Sequence, residues 1–457
     1  MAFSVVVLAA GKGTRMKSSL PKVLHPVGGV PMVQRIINTV ESLDATAVHL
    51  VYGHGAEQLK ANVEGRQINW CLQQEQLGTG HAVMQAVDYI ADDEDVMILV
   101  GDAPLIQAQT LERLIAVKSE CDLALLTVHL DDPTGMGRII RENDNIVAIV
   151  EHKDATEAQR AITEINTGMM VMGGKDLKRW LAALTNDNAQ GEFYLTDVIA
   201  MAAAEGKRIQ SAHPDSPMEV EGVNNRVQLA RLERTLQSWQ AEALMTSGAT
   251  LADPARIDVR GELTTGQDVF IDINCVFSGK VTLGDNVVIG PNCMLIDCEV
   301  ASGAVIEANS IIENANVGAE CSVGPYARLR PGAVMERKSK VGNFVEMKKA
   351  TLGEGAKANH LTYLGDATIG ANSNIGAGTI TCNYDGVNKS KTLIGENAFI
   401  GSNSALVAPV SIGAGAVVGA GATITVDVPE NAIAVARGEQ KNYAGAALRY
   451  RKKREEK

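Results

Sequence analysis

The sequence predicts a chain of two parts: an α/β domain with a mostly parallel sheet, then an all-β domain wound as a parallel β-helix. Between residues 4 and about 220, short apolar runs alternate with segments of helical spacing, as in strands joined by crossover helices. From about residue 257 an aliphatic side chain recurs at every sixth position, which is typical of a solenoid. With 4% aromatic residues and 44 glycines, the core is expected to consist of small aliphatic side chains.

Length and charge limit the classes of function. The chain of 457 residues is long enough for two or three domains, each with its own core. A net charge of −12 argues against a general nucleic-acid binder, because attraction to a phosphate backbone needs a basic surface. Seven cysteines without a C-x-x-C pair predict no disulfide framework, and the apolar runs are too short for a membrane span. With no basic start at the N-terminus, we expect a cytoplasmic protein without membrane insertion.

The spacing predicts the elements of the first half one by one. Strands are expected at 4–10, 48–52 and 96–100, and helices at 33–40 and 82–89. Sheets of this kind bind ligands beyond the carboxyl ends of their strands. The segments just after Ala10, Leu72 and Val100, three predicted strand ends, are polar or rich in glycine, so they are the first place to look for a site.

An amphipathic helix is predicted between the two halves. Its apolar residues fall three or four positions apart, with charged and amide residues between them. They are Leu229, Leu232, Leu236, Trp239 and Ala243. Helical spacing disappears after Gly248. We therefore divide the chain into an N-terminal domain at 1–226, a helical linker at 227–247 and a C-terminal domain at 248–457.

The second half predicts a β-helix because each hexad combines a short strand with a turn small enough for glycine or alanine. Three hexads would form one coil of about 18 residues. Aliphatic-glycine pairs in register include Leu283-Gly284, Ile289-Gly290, Val317-Gly318, Val323-Gly324, Val341-Gly342, Ile394-Gly395, Ile400-Gly401, Ile412-Gly413 and Val418-Gly419. The ladder is interrupted at 382–393. Insertions of this kind often bind ligands, although a tolerated insertion explains the segment about equally well when it is taken alone.

A glycine-rich turn after the first strand is the first candidate site. Backbone N–H groups around Gly11 and Gly13 can converge on a phosphate, with Arg15 and Lys22 supplying charge. The spacing is neither that of a Walker A loop nor that of a dinucleotide fingerprint, and a glycine turn alone is as often structural. The whole string from Leu8 to Arg15, with Lys22 beyond it, closely resembles the signature of sugar-1-phosphate nucleotidyltransferases.

Two further strand ends carry polar residues. Asp102 follows a buried strand, where a carboxylate can hold a divalent cation bound to phosphate oxygens. A strand-end aspartate often only caps the next helix, so this alternative stays open. The stretch from Gln73 to Gly80 offers amide donors and acceptors that suit a pyrimidine edge, the alternative being a plain surface turn.

Over almost its entire length the sequence resembles a family of bacterial bifunctional enzymes, which join an N-acetylglucosamine-1-phosphate uridylyltransferase to a glucosamine-1-phosphate acetyltransferase. The resemblance implies a Rossmann-like nucleotidyltransferase domain and a left-handed β-helix of hexapeptide repeats, in that order. It also implies Mg²⁺ bound by Asp102 and Asn224, and charge stabilisation by Arg15 and Lys22. The residues implied around UTP and the amino sugar are Leu8, Ala9, Ala10, Gly11, Arg15, Lys22, Gln73, Gly78, Thr79, Val100, Gly101, Asp102, Gly137, Glu151, Asn166 and Asn224.

Basic residues and a histidine mark a candidate site in the second half. Between 328 and 349, seven basic residues accompany two acidic ones, which predicts either an anion site or a solvated face. His360 can accept a proton near neutral pH, although a lone histidine is usually structural. By resemblance, His360 is the general base of acetyl transfer. The resemblance assigns the sugar phosphate to Arg330, Lys348, Tyr363, Asn374 and Lys389, and acetyl-CoA to Ala377, Asn383, Tyr384, Ser402, Ala420 and Arg437.

The resemblance implies a sequence of two reactions. Glucosamine-1-phosphate is acetylated by acetyl-CoA, and UMP from UTP is then transferred to the product, giving UDP-N-acetylglucosamine and pyrophosphate for peptidoglycan, lipopolysaccharide and other cell-envelope polysaccharides. The family forms homotrimers with acetyltransferase sites between neighbouring β-helices; a monomeric β-helix is the alternative. Two other classes of function stay open, in which the β-helix is only a regulatory or oligomerising module, or only a scaffold.

The sequence departs from the family pattern at two aromatic positions and at its end. Val100 and Met136 stand where the family commonly has tyrosine, which affects nucleotide and sugar packing but leaves the phosphate and metal groups in place. The basic tail at 449–457 is predicted to be solvated and is assigned no role.

Overall fold

The computed structural model describes residues 3–53 and 55–455. The chain forms two compact units, Met1–Trp239 and Gln240–Lys457, and the division falls within the helix Arg226–Thr246. Within the described ranges, no helix is both long and apolar enough to cross a bilayer. The predicted basic tail overlaps the helix Ala446–Glu455, and its last two residues, 456 and 457, lie outside the described residues.

The N-terminal unit contains a sheet with nine strands in its described residues. In chain order they are β1 (Phe3–Ala9), β2 (Val48–Tyr52), β3 (Ile68–Leu72), β4 (Asp95–Val100), β5 (Leu123–His129), β6 (Arg138–Glu142), β7 (Asn145–Val150), β8 (Glu164–Gly173) and β9 (Ile209–Ala212). The sheet order is β9-β5-β8-β4-β1-β2-β3, and β6 pairs with β8 and β7. Pairs are parallel except those of β8 and the β6–β7 hairpin. The predicted mostly parallel α/β domain is confirmed.

Helices bury both faces of this sheet. Val5 and Val7 of β1 belong to one apolar cluster and Val6 belongs to another, because alternate side chains of a strand point to opposite faces. Over both units, the helices among the described residues are α1 (Met32–Glu41), α2 (Ala56–Asn62), α3 (Thr79–Met84), α4 (Ala108–Lys118), α5 (Glu157–Arg160), α6 (Gly174–Ala183), α7 (Asp197–Ala204), α8 (Arg226–Thr246) and α9 (Ala446–Glu455). Of these, α9 belongs to the second unit. Each aliphatic side chain buried in this way stabilises the fold by about 1.5–3 kcal/mol.

One helix is shorter than the sequence predicts. Instead of spanning 82–89, α3 ends at Met84 and a separate 3₁₀ turn follows at Val87–Tyr89. The backbone N–H of Ala86 donates to the Val83 carbonyl three residues earlier, which tightens the last turn and ends the α-helix. The apolar spacing is continuous across both elements, so the sequence pattern does not separate them.

The C-terminal unit is a parallel β-helix with three faces. One face is a sheet that has 11 strands in the described part of the unit: Thr250–Leu251, Phe270–Ile271, Val288–Ile289, Val305–Ile306, Ser322–Val323, Lys340–Asn343, Lys357–His360, Asn374–Ile375, Phe399–Ile400, Val417–Val418 and Ile433–Ala434. The other two faces share a sheet of 16 strands, counted among the described residues: Ile257–Thr265, Cys275–Leu283, Met294–Val300, Ile311–Glu313, Asn316–Val317, Arg328–Leu329, Val334–Met335, Glu346–Lys348, Thr351–Leu352, Tyr363–Gly365, Ala367–Ile369, Ile380–Cys382, Thr392–Ile394, Ala405–Val407, Val410–Ile412 and Thr423–Ile424. The predicted all-β parallel fold is confirmed.

Coils of the β-helix stack in register, so the aliphatic residues of the hexads form one continuous core. Partners in adjacent coils lie 17 positions apart where Asn343 contacts His360. This separation is close to the predicted three hexads. Ser373 and Ala398 also contact each other across one coil, yet they lie 25 positions apart. The additional residues form a loop at 383–391, which is shorter than the predicted 382–393 because residue 382 ends one strand and residues 392 and 393 begin the next.

Candidate active sites

A cavity of about 280 Å³ lies where β1, β3 and β4 end. Parallel strands bring their carboxyl ends to one edge of the sheet, so segments distant in sequence meet there. The cavity is lined by Leu8, Ala9, Ala10, Gly11, Lys22, Val23, Gln73, Gln76, Gly78, Thr79, Ala82, Val100, Asp102 and Glu192. Ten of these residues are among those that the sequence analysis places around UTP and the sugar.

Two glycines allow close approach of the backbone beside this cavity. Gly101 donates its N–H to the Leu8 carbonyl at 2.8 Å, and a Cβ at Gly101 would lie 2.7 Å from that oxygen. Gly13 has a φ of +58°, and a Cβ there would lie 2.6 Å from the Cβ of Lys22. A larger residue at either position would displace the segments that carry the site.

Two cationic side chains meet two oxygen ligands at the cavity. Lys22 Nζ lies 2.5 Å from Asp102 Oδ2 and 3.5 Å from Asn224 Oδ1. Arg15 donates from a terminal nitrogen to the same Asn224 oxygen at 2.8 Å. The preceding residue, Val223, donates its N–H to the Asp102 carbonyl at 2.9 Å and so holds this segment against the strand end. Residues as far apart as 209 positions are thereby brought into contact.

The donor set of Asp102 and Asn224 fits a divalent cation. Carboxylate and amide oxygens are hard ligands of the kind that Mg²⁺ prefers. Both oxygens lie within 3.5 Å of one positive atom, Lys22 Nζ, so the space between them suits a cation. No group of three or more His, Cys, Asp or Glu that could hold a metal occurs among the residues described here. Two protein ligands are sufficient for Mg²⁺ when phosphates and waters supply the others.

Glu151 is the centre of a second group of predicted residues. A Cβ on Gly137 would lie 3.3 Å from Glu151 Oε1, and Asn166 donates its N–H to the Gly137 carbonyl at 2.9 Å. Burial raises the pKa of Glu151, against the opposing effect of the Thr196 hydroxyl, which donates to Glu151 Oε1 at 3.4 Å. A half-buried carboxylate in such a position can accept hydrogen bonds from sugar hydroxyls.

The two departures from the family pattern border cavities. Val100 lines the cavity described above, and Met136, which is 40% exposed, lines a second one of about 660 Å³ that also includes Asn224. Sequence reasoning missed Gln76 and Glu192, which line the first cavity. Gln76 lies within the amide-rich stretch and could have been named from it. Glu192 belongs to no motif and follows no predicted strand, so no sequence signal points to it.

In the C-terminal unit, His360 is exposed at the end of the strand Lys357–His360. Its Nδ1 donates to Asn343 Oδ1 at 2.6 Å, because an amide oxygen can only accept. The His360 carbonyl accepts from the Thr362 hydroxyl at 2.7 Å and from the Gly378 N–H at 3.3 Å, which holds the backbone. With the proton on Nδ1, Nε2 keeps the lone pair that a general base needs. Asn343 was not named from the sequence.

Basic side chains converge at a different corner of the β-helix. The positive charges of Lys389 and Arg330 lower the pKa of Lys348, so both lie near this lysine, and the three cations are called here the cation cluster. Glu346 Oε1 accepts from Arg330 at 2.6 Å. Lys389 is carried by the loop at 383–391, so the inserted segment contributes to this cluster. An anion bound here would relieve the mutual repulsion of the lysines.

Several of the residues predicted for acetyl-CoA lie along one corner in successive coils. The carbonyls of Ala377 and Ser402 each accept a backbone N–H from the next coil, at 2.7 and 2.8 Å. Arg437 donates to the Ala420 carbonyl at 2.8 Å and adds a positive charge to this column. His360 precedes the column by one coil. An extended ligand could therefore contact several coils in turn.

The other predicted residues of this unit lie apart from that column. Asn383 is buried, and its Nδ2 donates to Asp366 Oδ2 at 2.5 Å, so within one chain its amide is turned inward. Tyr384, the next residue of the loop, is 59% exposed. Tyr363 is paired in register with Glu346, beside the cation cluster, whereas Asn374 begins a strand on another face.

Exposed apolar residues form a ridge beside His360. Tyr326, Phe344 and Leu361, called here the corner ridge, have φ values of 56°, 57° and 51°, in the left-handed region that favours glycine and asparagine. They are 53%, 56% and 62% exposed, and the rings of Tyr326 and Phe344 stack with centroids 5.4 Å apart. Bulky apolar residues that are both strained and exposed are typical of a protein–protein contact.

These features define a two-domain transferase, in which a nucleotidyltransferase is followed by a hexapeptide-repeat acyltransferase. Residues 5–196 match the family model of the MobA-like NTP transferase domain. Residues 259–338 match the GMPPB C-terminal domain. Residues 391–425 match the bacterial transferase hexapeptide (six repeats), in agreement with a left-handed β-helix.

Relatives of nearly full length identify the family. The bifunctional protein GlmU of Pseudoalteromonas atlantica strain T6c is 67% identical over 445 residues, covering 97% of this chain and 98% of that protein. The bifunctional protein GlmU of Marinobacter nauticus strain VT8 is 58% identical over 442 residues, covering 96% and 97%. The chain belongs to this family of bifunctional uridylyltransferase–acetyltransferases, which confirms the resemblance found in the sequence. Among solved structures, a UDP-glucose pyrophosphorylase complexed with UDP-glucose is 14% identical, with a TM-score of 0.44 over 52% of this chain and 98% of that chain.

Proposed function

We propose that the chain acetylates glucosamine-1-phosphate with acetyl-CoA and then transfers UMP from UTP to the product, giving UDP-N-acetylglucosamine and pyrophosphate. The observation that carries this proposal is the convergence of Arg15, Lys22, Asp102 and Asn224 beside a cavity at the strand ends. In the same chain, His360 lies beside Asn343 on a hexapeptide-repeat solenoid. Each unit thus carries groups suited to one of the two reactions.

The N-terminal unit is proposed to transfer the uridylyl group without a protein nucleophile. An oxygen of the sugar phosphate attacks the α-phosphorus of UTP, the bond from that phosphorus to the bridging oxygen breaks, and pyrophosphate leaves. Arg15 and Lys22 offset the negative charge on the phosphates during this step. Gln73 and Gly78 would contact the uracil, and Gly137, Glu151 and Asn166 the sugar, where burial of the carboxylate strengthens its hydrogen bonds.

We propose that Asp102 and Asn224 hold Mg²⁺ together with the phosphates of UTP. When bound, the ion would neutralise phosphate charge and help to orient the α-phosphorus. Lys22 Nζ already contacts both ligand oxygens, so its charge acts at the same place. Together these groups would direct the triphosphate toward the carboxyl ends of β1 and β4.

The C-terminal unit is proposed to transfer the acetyl group. The amine of glucosamine-1-phosphate attacks the thioester carbon, His360 Nε2 accepts the amine proton, and the thiolate of coenzyme A leaves and is protonated. Asn343 keeps the proton on Nδ1 and so keeps Nε2 available. The cation cluster would bind the phosphate of the sugar. Acetyl-CoA would lie along the column of Ala377, Ser402, Ala420 and Arg437. Asn383 and Tyr384 lie apart from this column in one chain and would contact acetyl-CoA from a neighbouring copy.

A homotrimer would complete the acetyltransferase site. In one chain His360 ends a strand on one face, whereas Lys348 ends a strand on the next face, so general base and cation cluster occupy different corners. A second copy could bring the two together, and the corner ridge beside His360 offers it an apolar contact surface. Sedimentation equilibrium of the intact chain is expected to give three times the mass of one chain, and a monomer would contradict the assembly. The cytoplasmic location stays a prediction.

Two assays on the purified chain test the proposal. With glucosamine-1-phosphate and acetyl-CoA, we expect release of a free thiol. With N-acetylglucosamine-1-phosphate, UTP and Mg²⁺, we expect release of pyrophosphate. Pyrophosphate release without any thiol release would overturn the acetyltransferase half and favour a β-helix that only regulates or assembles the enzyme.

A further inference from the structure

The side chain of Gln73 is buried and held in one orientation. It is 3% exposed, at the end of β3, where its backbone N–H donates to the Tyr52 carbonyl at 2.8 Å. Its Nε2 lies 3.2 Å from the Gly78 carbonyl oxygen and 3.1 Å from His81 Nδ1. A carbonyl oxygen can only accept, so the atom facing Gly78 must be the NH₂ group of the carboxamide.

His81 takes up the second N–H of that group. Because one hydrogen of the NH₂ points to the Gly78 carbonyl, the other points to His81 Nδ1, which must therefore be the unprotonated nitrogen of a neutral imidazole. The Gln85 carboxamide lies 3.3 Å from the other ring nitrogen and donates to the His81 carbonyl at 2.9 Å. A neutral imidazole has one acceptor nitrogen. This nitrogen can therefore accept from Gln73 or from Gln85, but not from both. Gln85 is less buried and can donate to the His81 carbonyl instead, whereas an unpaired N–H on the buried Gln73 would destabilise the fold.

Both donors of the Gln73 carboxamide are thus used within the protein. The atom left for a ligand in the cavity is the oxygen, which accepts hydrogen bonds and cannot donate them. Uracil presents an N3–H donor at the corresponding edge, whereas cytosine presents an acceptor at N3. If this oxygen faces N3 of the base, it accepts the N3–H of uracil, whereas cytosine would place a second acceptor against it, so the site would favour uracil over cytosine.

We infer that His81 is a positioning residue that sets the specificity for uracil by fixing the carboxamide of Gln73. The inference rests on the proposed function, since it takes the nucleotide to be UTP. His81 is well placed for this role. It lies in the first turn of α3, where the Gly80 N–H donates to the Phe193 carbonyl at 2.8 Å and anchors the turn.

A matched pair of variants tests the inference on the full-length chain. His81→Asn keeps an acceptor oxygen near the place of Nδ1, and His81→Leu has nearly the same shape as the asparagine but no acceptor. For each chain, kcat and KM are measured with UTP, CTP and 5-methyl-UTP, which retains N3–H. We expect His81→Leu to lower the preference for UTP over CTP about tenfold, through KM for UTP, as loss of one buried hydrogen bond would. His81→Asn should restore most of the preference.

Each outcome of the experiment is decisive. The ratio of kcat/KM for UTP to kcat/KM for 5-methyl-UTP should stay unchanged in both variants, because both nucleotides offer the same N3–H donor. If His81→Leu left the ratio of kcat/KM for UTP to kcat/KM for CTP unchanged, the inference would be overturned. An equal loss of kcat/KM with all three nucleotides would overturn it as well, because it indicates a structural role only. If the wild-type chain showed no preference for UTP, the proposed nucleotide itself would be wrong. Should His81→Leu fail to fold in a thermal melt, His81→Phe removes the same acceptor and replaces it in the assay.

Discussion

The two units assemble their sites in different ways. In the N-terminal unit, Arg15 contacts Asn224 across 209 positions of sequence. In the C-terminal unit, Asn343 contacts His360 across 17 positions. A doubly wound sheet collects residues from anywhere in the chain at its strand ends, whereas a solenoid joins residues that are about one coil apart. The first architecture encloses a cavity, and the second presents an open surface.

This difference predicts which of the two sites needs the association of several chains. The cavity of the N-terminal unit gathers its cations and oxygens within one chain. On the β-helix, His360 and the cation cluster lie at different corners of one chain. Each unit carries one of the two sites. Changes to the β-helix should therefore affect acetyl transfer alone, and changes at the strand ends of the N-terminal sheet should affect uridylyl transfer alone.

The largest effect is expected for His360→Ala. Removal of a general base typically costs about a hundred- to ten-thousandfold in rate, so thiol release from acetyl-CoA should fall by about a thousandfold. Pyrophosphate release from UTP with N-acetylglucosamine-1-phosphate, measured on the same preparation, should be unchanged and serves as the control. A comparable loss of both activities would show that the two units are not independent.

Arg15→Ala is the counterpart in the N-terminal unit. Loss of a charge that stabilises the phosphates should lower uridylyl transfer about a hundredfold while acetyl transfer is retained. Lys17→Ala is a matched control, because Lys17 is an exposed cation two positions further along the chain. Similar losses in the two variants would mean that general surface charge, and not the contact of Arg15 with Asn224, is responsible.

Phe344→Asn tests the need for a partner chain. Asparagine tolerates the φ of 57° at this corner, so the free energy of unfolding of one chain should stay the same or rise by about 1 kcal/mol. The corner ridge is interrupted, however, and we expect a smaller species in sedimentation with acetyl transfer reduced at least about tenfold. Uridylyl transfer should not change. An intact trimer with full acetyl transfer would remove the ridge from the interface.

The smallest effect concerns the pH dependence of sugar binding. Because burial raises the pKa of Glu151, this carboxylate becomes protonated at a higher pH than an ordinary glutamate as the medium is acidified. The neutral acid is a weaker acceptor, so KM for N-acetylglucosamine-1-phosphate should rise a few-fold on the acid side of the profile. Glu151→Gln cannot titrate and should lack this limb. If the variant showed the same acid limb as the wild type, another group would be its source.

The difference between the sheet domain and the solenoid also explains how much of each site could be predicted from the sequence. Spacing predicted strand ends at Ala10 and Val100, close to the observed ends at Ala9 and Val100, and the shared edge of a parallel sheet then put Lys22 and Asp102 in one region. Asn224 was associated with Asp102 only through the family resemblance. In the structure the backbone bond from Val223 to Asp102 provides the physical link.

The sequence by itself determined the type of each unit and the position of the inserted loop, because periods of two, 3.6 and six residues are local properties of the chain. It also indicated the polar strand ends and the histidine. Only the tertiary structure decided that Glu192 lines the cavity, that Asn343 accepts from Nδ1 of His360, and that Gln73 turns its NH₂ group toward the Gly78 carbonyl. These facts depend on which strands become neighbours and on the direction of individual hydrogen bonds, and neither follows from the spacing of residue types.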